Sequence, residues 1–130
     1  MGLILNLETA TTNCSVSLAK DGEVLVLKEH NAPNYSHSEQ LHVFIKDCFE
    51  EADKNLKDLD AVAVSMGPGS YTGLRIGVSA AKGLCFSLGI PLISISTLKS
   101  MASQLKLSEG KLIIPVLDAR RMEVYSAVFD

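Results

Sequence analysis

The stretch Met66-Gly67-Pro68-Gly69-Ser70-Tyr71-Thr72-Gly73-Leu74-Arg75 constrains this chain more than any other. The apolar run Leu59 to Ser65 leads into it and a helix-forming run leaves it, so it reads as a strand-to-helix turn. Gly67 and Gly69, on either side of Pro68, let the backbone leave the strand through conformations closed to other residues. Ser70 and Thr72 are suited to cap the new helix. Free N–H groups at a helix start attract anions, which makes Gly69, Ser70 and Thr72 candidates for phosphate contact. No Lys-Ser/Thr pair completes a P-loop, however, and the glycine spacing is not G-x-G-x-x-G. A structural turn and an anion-binding role both stay open on these residues.

The helix that follows, about Gly73 to Leu88, is more informative. At about 100° per residue, Leu74, Gly77, Val78, Ala81, Cys85 and Leu88 share one face, suited to a sheet. The opposite face holds Ile76, Ser79, Ala80, Gly83, Phe86 and Ser87, with Arg75 and Lys82 on one narrow edge. A surface helix should be polar there. This back is small and apolar, as expected if another helix lies on it, either from this chain or from a partner.

The rest of the chain supplies a frame for that helix. Leu3 to Thr9 reads as a buried strand. Cys14 to Lys20 alternates, Asp21-Gly22 is a hairpin signal, and Glu23 to Glu29 returns as a third strand. After a loop at Asn31 to Tyr35, Ser36-x-x-Glu39 forms a capping box for a helix to about Asp53. Leu41, Phe44, Ile45, Cys48, Phe49 and Ala52 give it one buried stripe, so it needs the sheet for itself. Leu59 to Ser65 is a fourth strand, apolar enough for the centre of a parallel sheet. Beyond the second helix, Gly89 and Pro91 lead to a fifth strand, Leu92 to Ile95, and Thr97 caps a third helix to about Leu105. The order β-β-β-α-β-α-β-α is that of the ribonuclease-H-like lobe of the actin and sugar-kinase superfamily: an α/β fold with a mixed five-stranded sheet and flanking helices. Residues 1–105 make that lobe. Residues 106–130 read as a polar link, Lys106 to Lys111, and the first strands of an incomplete second lobe, Leu112 to Leu117 and Met122 to Phe129.

Bulk properties exclude several function classes. A formal net charge of -3 on 130 residues offers no basic footprint for autonomous nucleic-acid binding. The longest apolar stretch, about Leu74 to Ile95, is broken by Arg75, Lys82 and Pro91, so it is not a membrane span. Cys14, Cys48 and Cys85 sit far apart without metal-ligand spacing and read as reduced core thiols of a cytoplasmic protein.

Four segments together resemble the TsaB (YeaZ) family, the partner subunit of bacterial tRNA threonylcarbamoyladenosine (t6A) biosynthesis: Ile4 to Thr11 with Cys14-Ser15-Val16; His37-Ser38-Glu39; Gly67 to Gly77; and Asp118-Ala119-Arg120 with Glu123-Val124-Tyr125. The resemblance covers essentially the whole chain. It implies an actin-like two-lobed fold and a non-catalytic scaffold that pairs with the catalytic paralogue TsaD and the ATPase TsaE, touching tRNA only indirectly. It also implies homodimers through the first two helices. The partner-facing residues are then His37, Leu41, Arg75, Ile76, Ser79, Ala80, Lys82, Gly83 and Phe86. No cofactor is implied for this chain alone, with ATP or ADP expected only at a partner interface. The family once carried the label of an M22 glycoprotease.

The residues also bear on enzymatic alternatives. The catalytic paralogue holds metal through His-x-x-x-His. Here His37 and His42 are five positions apart and diverge by about 140° on a helix, so no metal site is expected, and His37 reads as a surface or interface residue. An actin-like ATPase wants an Asp and a Gly-Thr turn after the first strand. This chain has Glu8-Thr9-Ala10-Thr11-Thr12, which leaves Thr9 and Thr11 as weak anion candidates, or else as residues closing the turn. A nuclease needs converging carboxylates, yet Asp60 falls at the opposite sheet edge from Glu8. Cys14 and Ser70 have no histidine near them in any predicted element. Asp118-Ala119-Arg120-Arg121 is a polar break between two strands, suited to an ion pair at the lobe junction or to a partner contact.

Overall fold

The computed structural model describes residues 2–31, 37–106 and 108–130. Three antiparallel strands open the chain: β1 (Leu3–Glu8), β2 (Asn13–Lys20) and β3 (Glu23–Asn31). Helix α1 (His37–Ala52) leads through a short 3-10 turn (Leu56–Asp58) to β4 (Ala61–Gly67), which lies parallel to β1. Helix α2 (Tyr71–Leu88) returns the chain to β5 (Leu92–Ser96), parallel to β4. The sheet order is β3-β2-β1-β4-β5, a mixed five-stranded sheet as the sequence predicted. Helix α3 (Thr97–Ala102) follows, and a separate two-stranded sheet pairs β6 (Val116–Arg120) with β7 (Glu123–Ser126).

Alternation in the strands decides where the core sits. Leu3, Leu5 and Leu7 of β1, Cys14, Val16 and Leu18 of β2, and Val62 and Val64 of β4 all point to one face, where they are buried. Leu41, Ile45, Cys48 and Phe49 of α1 and Ala81 and Cys85 of α2 close over them in one hydrophobic cluster. The other sheet face is polar and small around Asn6, Ser15, Ser17 and Ser65, where Ser100 of α3 approaches. At the far rim the Leu3 amide donates to the Asp60 carboxylate at 2.8 Å, which holds Asp60 at the sheet end opposite Glu8, as expected.

Several boundaries differ from expectation for identifiable reasons. Strand β4 begins at Ala61 rather than Leu59 because Asn55 and Asp58 cap each other around the 3-10 turn, with the Asn55 amide donating to Asp58 at 2.8 Å. Helix α2 starts at Tyr71 with Ser70 as its cap: the Ser70 hydroxyl accepts from the Gly73 amide at 3.2 Å. Helix α3 is capped by Ser96 rather than Thr97 and ends at Ala102 rather than Leu105. In the second sheet, Pro115 has no N–H to give to a ladder. The strand expected from Leu112 therefore begins at Val116 and runs on to Arg120, leaving an isolated bridge between Ile113 and Phe129. The Ser36 side of the predicted capping box and the loop at 32–35 lie outside the described residues.

Candidate functional site

The glycine turn is docked on the β1–β2 turn. The Ser70 amide donates to the Ala10 carbonyl at 2.7 Å. A Cβ at Gly69 would lie 2.7 Å from the Ala10 carbonyl oxygen. At Gly73 it would lie 2.1 Å from the Thr9 carbonyl oxygen, and at Gly77 2.3 Å from the Thr9 hydroxyl. Thr9 is buried, and its hydroxyl donates to the Gly73 carbonyl at 2.6 Å. These glycines thus let α2 sit directly on the end of β1. Thr9 was an anion candidate from sequence; that expectation is corrected, because the hydroxyl is enclosed and committed to helix α2. It does close the turn, but through a long-range bond rather than a local one. Thr11 closes it locally, accepting from the Asn13 amide at 3.3 Å.

The remaining anion candidates come together. Thr11, Gly69, Ser70 and Thr72 line one recess of about 570 Å³. Its far wall is Leu117, Asp118, Ala119, Arg120 and Tyr125 from the second sheet. The polar break noted in the sequence therefore faces the glycine turn. Asp118 accepts from the Arg120 amide at 2.8 Å, and Arg120, Arg121 and Met122 all have positive φ, so the tip of this hairpin is tightly wound. Glu8 is occupied by its own neighbours: it accepts from the Ala10 amide at 3.0 Å and from the Ser65 hydroxyl.

The partner-facing candidates divide into two groups. Arg75, Ile76, Ser79 and Ala80 line a groove of about 500 Å³ between α2 and α1, together with Ser38, His42 and Thr72. Lys82, Gly83 and Phe86 continue the same helix face outward, and Phe86 is 92% exposed, which leaves its ring almost wholly in solvent. The second group does not reach the surface. His37 is 1% exposed and its Nε2 lies 2.6 Å from the Thr11 carbonyl oxygen; Leu41 is fully enclosed in the core. Both were expected to face a partner, and the structure corrects both. His37 lies at the first turn of α1, where the ring reaches inward to brace the β1–β2 turn. Leu41, one turn later, lies on the stripe that meets the sheet. Sequence reasoning missed Ser38, His42 and Thr72 as groove residues. The signal was available, since Ser38 and His42 are spaced i, i+4 beside the apolar stripe.

Electrostatics do not mark a reactive group. All three cysteines are free and buried. Burial pushes the Cys48 thiol up to about 11, and also raises Cys14 and Cys85. None is poised as a thiolate nucleophile. Among the described residues no group of three or more His, Cys, Asp or Glu side chains is placed to hold a metal ion. No helix among them is long and apolar enough to cross a membrane.

Comparison with known proteins gives a consistent result. Residues 32–130 match the family model described as TsaD, tRNA N6-adenosine threonylcarbamoyltransferase. The "tRNA threonylcarbamoyladenosine biosynthesis protein TsaB" of Escherichia coli K12 is 37% identical over 127 residues, covering 97% of this chain and 54% of the relative. The protein of the same name from Bacillus subtilis is 34% identical, covering 97% and 54%. The chain thus spans about half the length of the curated relatives it matches. YeaZ from Pseudomonas aeruginosa superposes with a TM-score of 0.89 at 32% identity, covering 99% of this chain and 60% of that one. A Thermus thermophilus RuvC superposes with a TM-score of 0.51 at 10% identity, which bears on fold alone and agrees with a ribonuclease-H-like lobe.

Proposed function

The chain belongs to the TsaD-type family described by that model, on its TsaB (YeaZ) branch, and from there we propose that it is a non-catalytic binding subunit in t6A biosynthesis. It presents the outward face of α2 to a homologous partner, either a TsaD-type protein or a second copy of itself. The observation that carries this is the pairing of an almost fully exposed Phe86 with an open α1–α2 groove on the same helix face. Aromatic anchors beside preformed pockets are the usual source of affinity at protein interfaces. A soluble helix with no partner gains nothing by holding such a side chain in water.

In this reading, a TsaE-type ATPase joins through the assembled pair, tRNA is met through the partner, and the protein works in the cytoplasm. Residues 106–130 are the link and first strands of a second lobe. The outward side chains Ile114, Val116, Val124 and Val128, all more than half exposed, support that assignment. The rival is an actin-like enzyme that binds or hydrolyses nucleotide in the recess between Thr11 and Arg120. The commitment of the Thr9 hydroxyl and the Ser70 amide to the fold counts against it. The M22-type metallopeptidase reading lacks support, because His42 faces the groove while His37 faces the core.

The test uses cells whose only copy of the full-length gene carries Gly83→Arg. A Cβ at Gly83 meets nothing within 4 Å, so the substitution fits the fold of the chain. The account predicts soluble protein and tRNA that loses t6A. Soluble variant protein with unchanged t6A would remove the α2 face from the function. Phosphate release from ATP by the purified wild-type protein alone would favour the rival.

A further inference from the structure

The sheet face turned away from α1 and α2 holds a small pocket of about 240 Å³. Side chains alternate along a strand, and the strand register gathers the lining. Asn6 lies beside Ser17 and Ala63, Glu8 beside Ser15, and Ser65 beside Ile95. Ser100 of α3 joins them from above the sheet. Among the described residues Glu8 is the one charged group in this lining. We propose that the pocket binds a primary alkylammonium group the size of a lysine head, with the Glu8 carboxylate as its counter-ion. The site is separate from the α2 surface and does not depend on it.

The carboxylate is anchored but not neutralised. Glu8 accepts from the Ala10 amide at 3.0 Å on one oxygen and from the buried Ser65 hydroxyl on the other. These two bonds fix its direction, yet an ionised carboxylate offers about four acceptor sites, so acceptor capacity remains on both oxygens. Among the described residues no lysine, arginine or histidine forms an ion pair with Glu8. A half-buried charge with neutral neighbours has lost part of its hydration without gaining a partner. An arriving cation restores that interaction.

The rest of the lining selects the cation. A divalent metal ion calls for several anionic or strongly donating ligands close around it. Here one carboxylate is surrounded by neutral hydroxyls and an amide, and the pocket is far larger than a bare ion. A guanidinium pairs best with two carboxylate oxygens that are both free along one edge, whereas each oxygen of Glu8 already holds a donor. An ammonium group needs only a point contact and has three donors to distribute. Asn6 donates its side-chain amide to Ser17 at 3.1 Å, which leaves its carbonyl oxygen as an acceptor. The hydroxyls of Ser15 and Ser100 can accept as well. Ala63 and Ile95 add apolar surface for the methylene stem, the usual resting place for the stem of a lysine.

Amide NMR titration of the purified full-length protein tests the site, with n-butylammonium chloride as the probe. It should shift the Asn6, Ser17, Ser65 and Ser100 signals saturably in the millimolar range, as expected of so small a ligand. Glu8→Gln keeps the acceptor for the Ala10 amide and should weaken binding at least about tenfold. Ser100→Leu leaves the carboxylate in place and fills the pocket, so it should abolish binding even if the Glu8 variant fails to fold. An acetylated and amidated Gly-Lys-Gly peptide separates the sources of the ammonium. Binding as tight as that of butylammonium, or tighter, assigns the pocket to a lysine of another polypeptide, and weaker binding assigns it to a free amine. Absence of saturable shifts, or unchanged binding in folded Glu8→Gln, would overturn the proposal. So would n-butanol that binds equally well, because the charge would then be irrelevant. Potassium chloride that reproduces the shifts and displaces the amine would overturn it in favour of a bare cation.

Discussion

A methyl group added at position 73 would sit 2.1 Å from the Thr9 carbonyl oxygen, whereas one at position 83 would meet nothing. The two glycines lie on one helix, yet they answer to opposite demands. Gly73 lets α2 touch the end of β1, so Gly73→Ala should destabilise the protein by about 1–3 kcal/mol or more through overpacking. Gly83→Ala, measured at concentrations where the protein is monomeric, should instead add about 0.5–1 kcal/mol through helix propensity. Urea unfolding of both variants checks the pair; equal effects would mean that the helix is wrongly seated. The cysteines give a second prediction at this scale. Cys48 is neutral in the fold, with its thiol raised from 9.0 to about 11 by burial. A folded-state value above the unfolded one makes its contribution complete below pH 9.0 and lost as pH rises towards about 11. Thermal stability should therefore decline across that window. At pH 8 a thiol reagent should label Cys14, Cys48 and Cys85 only on unfolding.

At the scale of the elements, the sequence exposed most of the architecture and hid its joints. Strand alternation and the α1 stripe were legible because burial of one face repeats every two residues or every turn. The β4 start and the α3 end were not, since they depend on side chains such as Asn55, Asp58 and Ser96 finding local partners. Pro115 is visible in the sequence, yet the apolar run around it reads as one strand from Leu112, whereas β6 begins only at Val116. The anion candidates show the same limit. That Ser70 would cap α2 was legible, but that Thr9 reaches 64 positions along the chain to the Gly73 carbonyl was not. His37 and Leu41 misled for different reasons: the α1 stripe itself turns Leu41 toward the sheet and only the resemblance turned it toward a partner, whereas only the β1–β2 turn shows that His37 points inward. The cap makes a checkable contribution. Ser70→Ala removes the acceptor for the Gly73 amide at 3.2 Å and should cost about 1 kcal/mol in urea unfolding. No change would mean that the recess, rather than the cap, explains the serine.

For the whole molecule, the arrangement separates two surfaces. The recess between the glycine turn and the second sheet gathers the anion candidates Thr11, Gly69, Ser70 and Thr72, but its nearest groups are engaged in holding the lobe together. The outward face of α2 makes few contacts within the chain, and it carries an exposed aromatic anchor, a groove and a glycine. Family membership and the fold are consistent with this division, in which the chain acts by being bound. The most direct measurement is the affinity of the full-length protein for a purified TsaD-type partner, by calorimetry, with and without Gly83→Arg. The account predicts that the variant keeps its thermal unfolding transition but loses at least about a hundredfold in affinity, as expected when a charge is forced into an interface core. Unchanged affinity in a folded variant would contradict it.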